Sequence, residues 1–156
     1  MEYWGNKELL TLPKVGFLAA SSVPSAKVIR CYDWAVQQAD RKQCVVSGFS
    51  SRLERDVLHF LLKGTCPIIA VLARRMYKVL PEAWQPAIDN DRMLIIATSN
   101  SPRQSRQTAQ QRNQYIAEIT DTLYLSGATT MSSLYQLQQS FPDKCKFIIE
   151  EPTETN

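Results

Sequence analysis

Six short apolar runs punctuate the chain, and between them apolar residues recur at helical spacing. The runs "VGFLAA" (Val15–Ala20), "CVVSG" from Cys44, "PIIAVLA" (Pro67–Ala73), "RMLIIATS" (Arg92–Ser99), "TLYLSG" from Thr122 and "KCKFIIE" from Lys144 read as strands. Their nearly unbroken apolar character predicts burial on both faces, as in a parallel sheet covered by helices. Pro24 opens a helix on which Val28, Cys31, Trp34, Ala35 and Gln38/Ala39 share one face. After the second strand, Leu53, Val57, Leu58, Leu61 and Leu62 repeat in the same way until Gly64 stops the helix. "PEAWQPAIDN" predicts a short helix, Arg106–Ile119 a longer one, and "MSSLYQLQQS" the last.

Strands alternating with helices predict an α/β fold: one domain built on a doubly wound, mainly parallel six-stranded, Rossmann-like sheet with right-handed crossovers. The domain is expected over residues 1–150, with 151–156 as a frayed tail. The favoured strand order is 3-2-1-4-5-6, which places ligands beyond the carboxyl ends of the strands, between the first and the fourth. Four loops would meet there: Ala20–Ser25, Ser47–Arg52, Thr98–Arg106 and Ser126–Ser132. They are made of Ser, Thr, Gly, Asn, Gln and Arg with scarcely a carboxylate, the groups that hold phosphate.

Composition narrows the class. With 156 residues, 44% of them apolar and 21% charged, the chain can bury a core of ordinary size and has no signature of disorder. The apolar runs are too short to span a membrane, and "MEYWGNKELL" lacks the pattern of a secretory leader, so a cytoplasmic location is expected. The four cysteines, Cys31, Cys44, Cys66 and Cys145, are widely spaced and lie in or beside apolar segments, which predicts buried reduced thiols. With His59 the only histidine, zinc or a Cys/His catalytic pair has little to draw on, and no metal or cofactor is expected. The net charge of +3 is weakly basic, but between Asp91 and Glu118 there is no acid, while Arg92, Arg103, Arg106 and Arg112 fall in that interval.

The residues that could carry chemistry are few. Ser47-Gly48 is either an ordinary tight strand-to-helix turn or a place where backbone approaches a phosphate. Arg103, Arg106 and Arg112 form either a solvated face or an anion contact. Glu54 either caps its helix or holds a ribose hydroxyl or base edge. Thr129, Thr130 or Ser132 could each cap the last helix. Trp4, Tyr77 and Trp84 are expected in core or rim packing rather than stacked on bases. Neither G-x-G-x-x-G nor G-x-x-x-x-G-K-[ST] occurs, and paired carboxylates are missing from the mouth, so the residues describe a binder rather than an enzyme.

Four segments, "YWGNKELLTLPKVGFLAAS", "VVSGFSSRLERDVLHFLLKG", "PIIAVLARRMYKVLPEAW" and "QRNQYIAEITDTLYLSGA", resemble the Rossmann-type domain of the DNA-processing protein A (DprA/Smf) family. The resemblance runs from about Tyr3 to Leu137, and its most specific parts are the Ser-Gly turn and the Arg-Asn helix. It implies binding of single-stranded DNA, or of a nucleotide, through phosphate at the switch-point mouth, and pairing of the domain as a homodimer. It places Ser47 and Gly48 in a phosphate-cradling turn, Arg112 and Asn113 facing the pocket, and Arg103 and Arg106 in the loop before them. Ser21, Ser50 and Gly127 belong to the same expected phosphate- or nucleic-acid-binding set. The chain departs from the full-length family at "AASS", where that family has Gly-Ser-Arg, and at Arg52-Leu53-Glu54, where it has Gly-Ile-Asp. A second branch of the superfamily, the cytokinin-activating nucleoside-monophosphate phosphoribohydrolases, carries paired glutamates where this chain has Ser132 and Ser133.

Overall fold

The protein is described by a computed structural model covering residues 1–127 and 133–148. In the described residues seven strands form one sheet: β1 (Glu2–Gly5), β2 (Lys14–Ala19), β3 (Cys44–Ser47), β4 (Ile68–Leu72), β5 (Met93–Ala97), β6 (Thr122–Ser126) and β7 (Cys145–Phe147). Among the described residues, five α-helices cover it: α1 (Ser25–Arg41), α2 (Arg52–Lys63), α3 (Gln85–Asp89), α4 (Arg106–Ile119) and α5 (Ser133–Ser140). The α/β, mainly parallel, single-domain expectation holds, and the helix predicted over Arg106–Ile119 forms over that span. The expected tail at 151–156 and the candidate caps Thr129, Thr130 and Ser132 lie outside the described residues.

Two expectations about the sheet need correction. A seventh strand, β1, runs antiparallel to β5, pairing Trp4 with Ile95. Its four residues are mostly exposed at the sheet edge, so it has no apolar run to announce it. The sheet order is β1-β5-β4-β3-β2-β6-β7, so the six parallel strands follow 4-3-2-1-5-6 instead of 3-2-1-4-5-6. β5 pairs with β4 over five residues, from Ile68–Met93 to Leu72–Ala97, and β2 lies directly against β6. Neighbours in a sheet are chosen by long-range contacts between equally apolar runs, which periodicity along the chain does not encode.

Polar pins fix the choice. The Arg92 guanidinium, at the entry to β5, donates to the carbonyls of Leu62 (2.8 Å), Gly64 (2.7 Å) and Cys66 (2.8 Å), tying β5 to the loop that leads into β4. The Asp121 carboxylate accepts from Lys14 N (2.8 Å) while Asp121 N donates to Lys14 O (2.8 Å), clamping the start of β6 to the start of β2. The topological switch therefore falls between β2 and β6.

Side-chain alternation divides the core into two layers. Phe17, Val45, Ile68, Ala70, Met93 and Ile95 face α1 and α2. Leu18, Val46, Ile69, Val71, Leu94, Ile96 and Leu123 face α4 and α5. On the first side Trp34 stacks on Phe17 (ring centroids 5.2 Å apart, 26° between planes) and tilts against Tyr124 (5.2 Å), anchoring α1 over the switch point. Trp84 is buried with Tyr77 edge-on to it at 5.7 Å, and Trp4 packs against the same layer, so these aromatics are packing residues. Cys31, Cys44 and Cys66 are buried free thiols and Cys145 is half-buried. Burial pushes Cys44 up to about 12 and Cys66 to about 11.

Candidate functional site

The carboxyl end of β3 runs into a five-residue turn, Ser47 to Ser51, before α2 starts. The turn closes on itself: Phe49 N donates to Ser47 Oγ (3.2 Å), and both residues are buried. Phe49 adopts φ +49°, a left-handed conformation that costs a bulky residue about 1–2 kcal/mol. Burying its ring in the α1/α2 layer offsets that strain.

Small residues and a helix N-terminus at this place raise the question of which anion they serve. The turn supplies its own. Glu54, 3% exposed, forms a capping box with Ser51: Glu54 N donates to Ser51 Oγ (3.3 Å) and Ser51 N to Glu54 Oε1 (3.3 Å). Oε1 also accepts from Ser50 N (2.9 Å), and Oε2 accepts from Ala19 N (2.9 Å) at the end of β2. The carboxylate thus occupies the amino end of α2 and ties it to the central strand, so of the two roles open for Glu54 the capping one is realised.

Arg112 comes from α4, whose own start is fixed by a second capping box. Ser105 N donates to Thr108 Oγ1 (2.8 Å) and Thr108 N to Ser105 Oγ (3.1 Å). Two turns into the helix Arg112 is 3% exposed. Its Nε donates to Asn113 Oδ1 (2.7 Å), while Nη1 reaches Val71 O and Nη2 reaches Ser50 Oγ, each at 3.4 Å. All three acceptors are neutral, and the last two lie beyond the roughly 2.7–2.9 Å of a good charge-assisted bond. Burial lowers the guanidinium pKa from its ordinary value, and the Glu54 charge opposes that shift. Five N–H donors on a buried cation are therefore only partly satisfied.

Gly48 is where the guanidinium fits. A Cβ there would stand 2.5 Å from Arg112 Cζ and closer still to Nη1. The missing side chain makes room for an arginine that enters from the other side of the sheet.

Beside the guanidinium opens a cavity of about 410 Å³. Ala19 at the end of β2 and Ala20 and Ser21 after it form one wall, Ser50, Ser51 and Glu54 a second, and Arg112, Asn113, Gln104 and the start of α5 the rest. Of the expected residues, Ser21, Ser50, Arg112 and Asn113 are brought together here. Ser47 is buried away from it, and Gly48 lies behind the guanidinium. Gly127 holds φ +79° and packs against Ala20 and Val23, shaping the rim rather than lining the space. Arg103 and Arg106 are exposed and off the wall, and His59 lies exposed on α2. Sequence reasoning passed over Ser51 and Gln104. The Ser51-x-x-Glu54 spacing signals the first; nothing local signals the second.

With this geometry established, comparisons with known proteins bear on the fold. No family model matches the sequence, and no characterised protein matches it by sequence. Solved structures do match in three dimensions. DNA processing protein A (DprA) from Streptococcus pneumoniae superposes with a TM-score of 0.71 at 18% identity, over 93% of this chain and 52% of that one. The chain has the Rossmann-like fold of DprA. It spans about half the length of that protein. DprA from Helicobacter pylori, studied for its single-stranded DNA binding mode, also gives a TM-score of 0.71, at 16% identity over 93% of this chain and 69% of that one. The molybdenum cofactor binding protein of Rippkaea orientalis is more distant, with a TM-score of 0.55 at 11% identity over 86% and 88% of the two chains. Among the described residues, no helix is long and apolar enough to cross a membrane.

Proposed function

We propose that the cavity holds a phosphate group of single-stranded nucleic acid and performs no reaction on it. The observation that carries this reading is Arg112, a buried guanidinium on the cavity wall whose acceptors are neutral and mostly distant. Leaving a buried cation short of partners costs free energy unless an anion completes it. A phosphate in the cavity would accept from Arg112 in the fork geometry, with the Ser21 and Ser50 hydroxyls and the Asn113 Nδ2 amide as neutral donors. Because Ser50 N and Ser51 N already serve Glu54, side chains and not a backbone cradle supply the contacts.

The likeness to DprA favours a strand as the ligand, and the exposed Arg103 and Arg106 would meet its neighbouring phosphates. Binding is favoured over hydrolysis because Glu54 is the one carboxylate on the cavity wall among the described residues. Both of its oxygens are held by backbone N–H groups, leaving no free acid or base at the site.

The reading is tested by fluorescence anisotropy with a labelled single strand at two salt concentrations, for wild type and Arg112→Lys. Salt-sensitive binding is expected, each neutralised phosphate contributing about −0.7 to the log–log slope. Lysine retains the charge but not the fork, so the variant should bind several-fold more weakly. Affinity unchanged by salt between these conditions would defeat the proposal.

A further inference from the structure

A second hollow of about 270 Å³ opens on the other side of Ser21 from the phosphate cavity, between α1 and α2. The two share Ala20 and Ser21 in their linings and so adjoin at a common lip. Their chemistry differs. The phosphate cavity is walled by hydroxyls, two amides, a guanidinium and the Glu54 carboxylate already held by backbone N–H groups, whereas Val23, Val28 and Leu53 line the second together with Tyr32 and Asp56. A mixed lining, three aliphatic side chains beside a fixed tyrosine–carboxylate pair, suits a flat heteroaromatic ring with hydrogen-bonding edges rather than a further phosphate.

The polar pair is oriented in advance. Tyr32 Oη donates to Asp56 Oδ2 at 2.8 Å, which holds the carboxylate and leaves Oδ1 as an acceptor. Tyr32 is itself braced by Phe60, with ring centroids 5.1 Å apart. Arg52, also on the hollow, contributes a cation near the rim.

Building on the phosphate reading, we propose that this hollow is a nucleobase subsite and that Asp56 selects bases carrying an exocyclic amino group. A fixed carboxylate accepts from cytosine N4 or adenine N6. Thymine presents a carbonyl oxygen where cytosine has its amino group, and its single N–H lies between two carbonyl oxygens, which the carboxylate repels. A strand threaded through the mouth would place phosphate at Arg112 and the adjoining base between Val28 and Leu53, in contact with Asp56.

The test compares labelled oligodeoxycytidine with oligodeoxythymidine of equal length in anisotropy titrations at one low salt concentration, for wild type, Asp56→Asn, Tyr32→Phe and Arg112→Lys. Wild type should prefer the cytidine strand by about tenfold. Asp56→Asn, able to donate as well as accept, should reduce that preference to near unity while keeping the Arg112 dependence. Tyr32→Phe frees the carboxylate to rotate and should narrow the preference without abolishing binding. Equal affinity of wild type for the two strands, with binding still salt-sensitive and weakened by Arg112→Lys, overturns the base subsite and leaves the phosphate reading standing. Absence of binding to either strand overturns both. The comparison on wild type does not depend on any variant folding.

Discussion

Replacing Arg112 by methionine separates ligand binding from folding. The guanidinium makes one short bond, to Asn113 at 2.7 Å, and two contacts at 3.4 Å. The short bond, made by a charged donor, contributes about 1.5–3 kcal/mol. Against it stands the desolvation of a cation only 3% exposed, which costs several kcal/mol even after relaxation. Glu54 loses a favourable neighbour, but its carboxylate keeps three backbone N–H donors, from Ala19, Ser50 and Ser51, and is not orphaned. Methionine fills much of the same channel with an adaptable apolar chain. Arg112→Met should therefore leave unfolding free energy within about 1 kcal/mol of wild type or raise it by up to about 4 kcal/mol. Strand affinity should fall steeply at the same time. Urea unfolding followed by far-UV circular dichroism, at unchanged slope, gives the first quantity, and anisotropy gives the second. A loss of about 3 kcal/mol or more would refute the reasoning, because the attraction between Arg112 and Glu54 would then be a structural keystone rather than a charge held for a ligand.

Three further outcomes follow from the same geometry. Gly48→Ala drives a methyl into the guanidinium and should destabilise by about 1–3 kcal/mol; combined with Arg112→Met in a double-mutant cycle, most of that penalty should vanish, whereas additive penalties would contradict the assigned packing. Glu54→Gln leaves one acceptor oxygen for three N–H groups, of which that of Ala19 is buried, and should cost about 1–3 kcal/mol by urea unfolding; an effect near zero would remove Glu54 as the turn's anchor. The folded pKa values of Cys44 (about 12) and Cys66 (about 11) lie above the ordinary thiol value of 9.0, so the folded state holds protons that the unfolded state releases. Stability from these thiols is then complete below about pH 9 and declines as pH rises toward 11 and 12, and unfolding measured across that range should show the decline.

What the sequence disclosed, and what it withheld, follows from the reach of the interactions. The parallel strands announce themselves because each is an apolar run buried on both faces, as in Ile68–Leu72 and Met93–Ala97. β1 does not, because Glu2–Gly5 is mostly exposed and is held as a strand by pairing with β5, some ninety positions along the chain. Strand order escapes local pattern for the same reason: Arg92 and Asp121 fix it through bonds to distant carbonyl and amide groups.

At the site, Arg112 and Asn113 are legible from a stretch without acids and from the resemblance of their helix to the DprA family. The occupants of the Ser47–Ser51 turn are not. Its Ser51-x-x-Glu54 spacing is a local capping signal, but the bond from Ala19 N and the intrusion of Arg112 beside Gly48 arise only when three remote segments meet. Arg103 and Arg106 show the converse, since proximity in sequence to Arg112 does not bring them to its cavity.

The central claim, that a phosphate completes the buried Arg112, is tested most directly by nitrogen-15 NMR of the arginine Nε–H groups while a short single strand is titrated into the protein. The Arg112 resonance should shift and sharpen with saturation, together with the Asn113 side-chain amide that shares its bond. Movement of the Arg103 and Arg106 resonances with Arg112 unchanged would contradict the account and place the strand on the exposed loop instead.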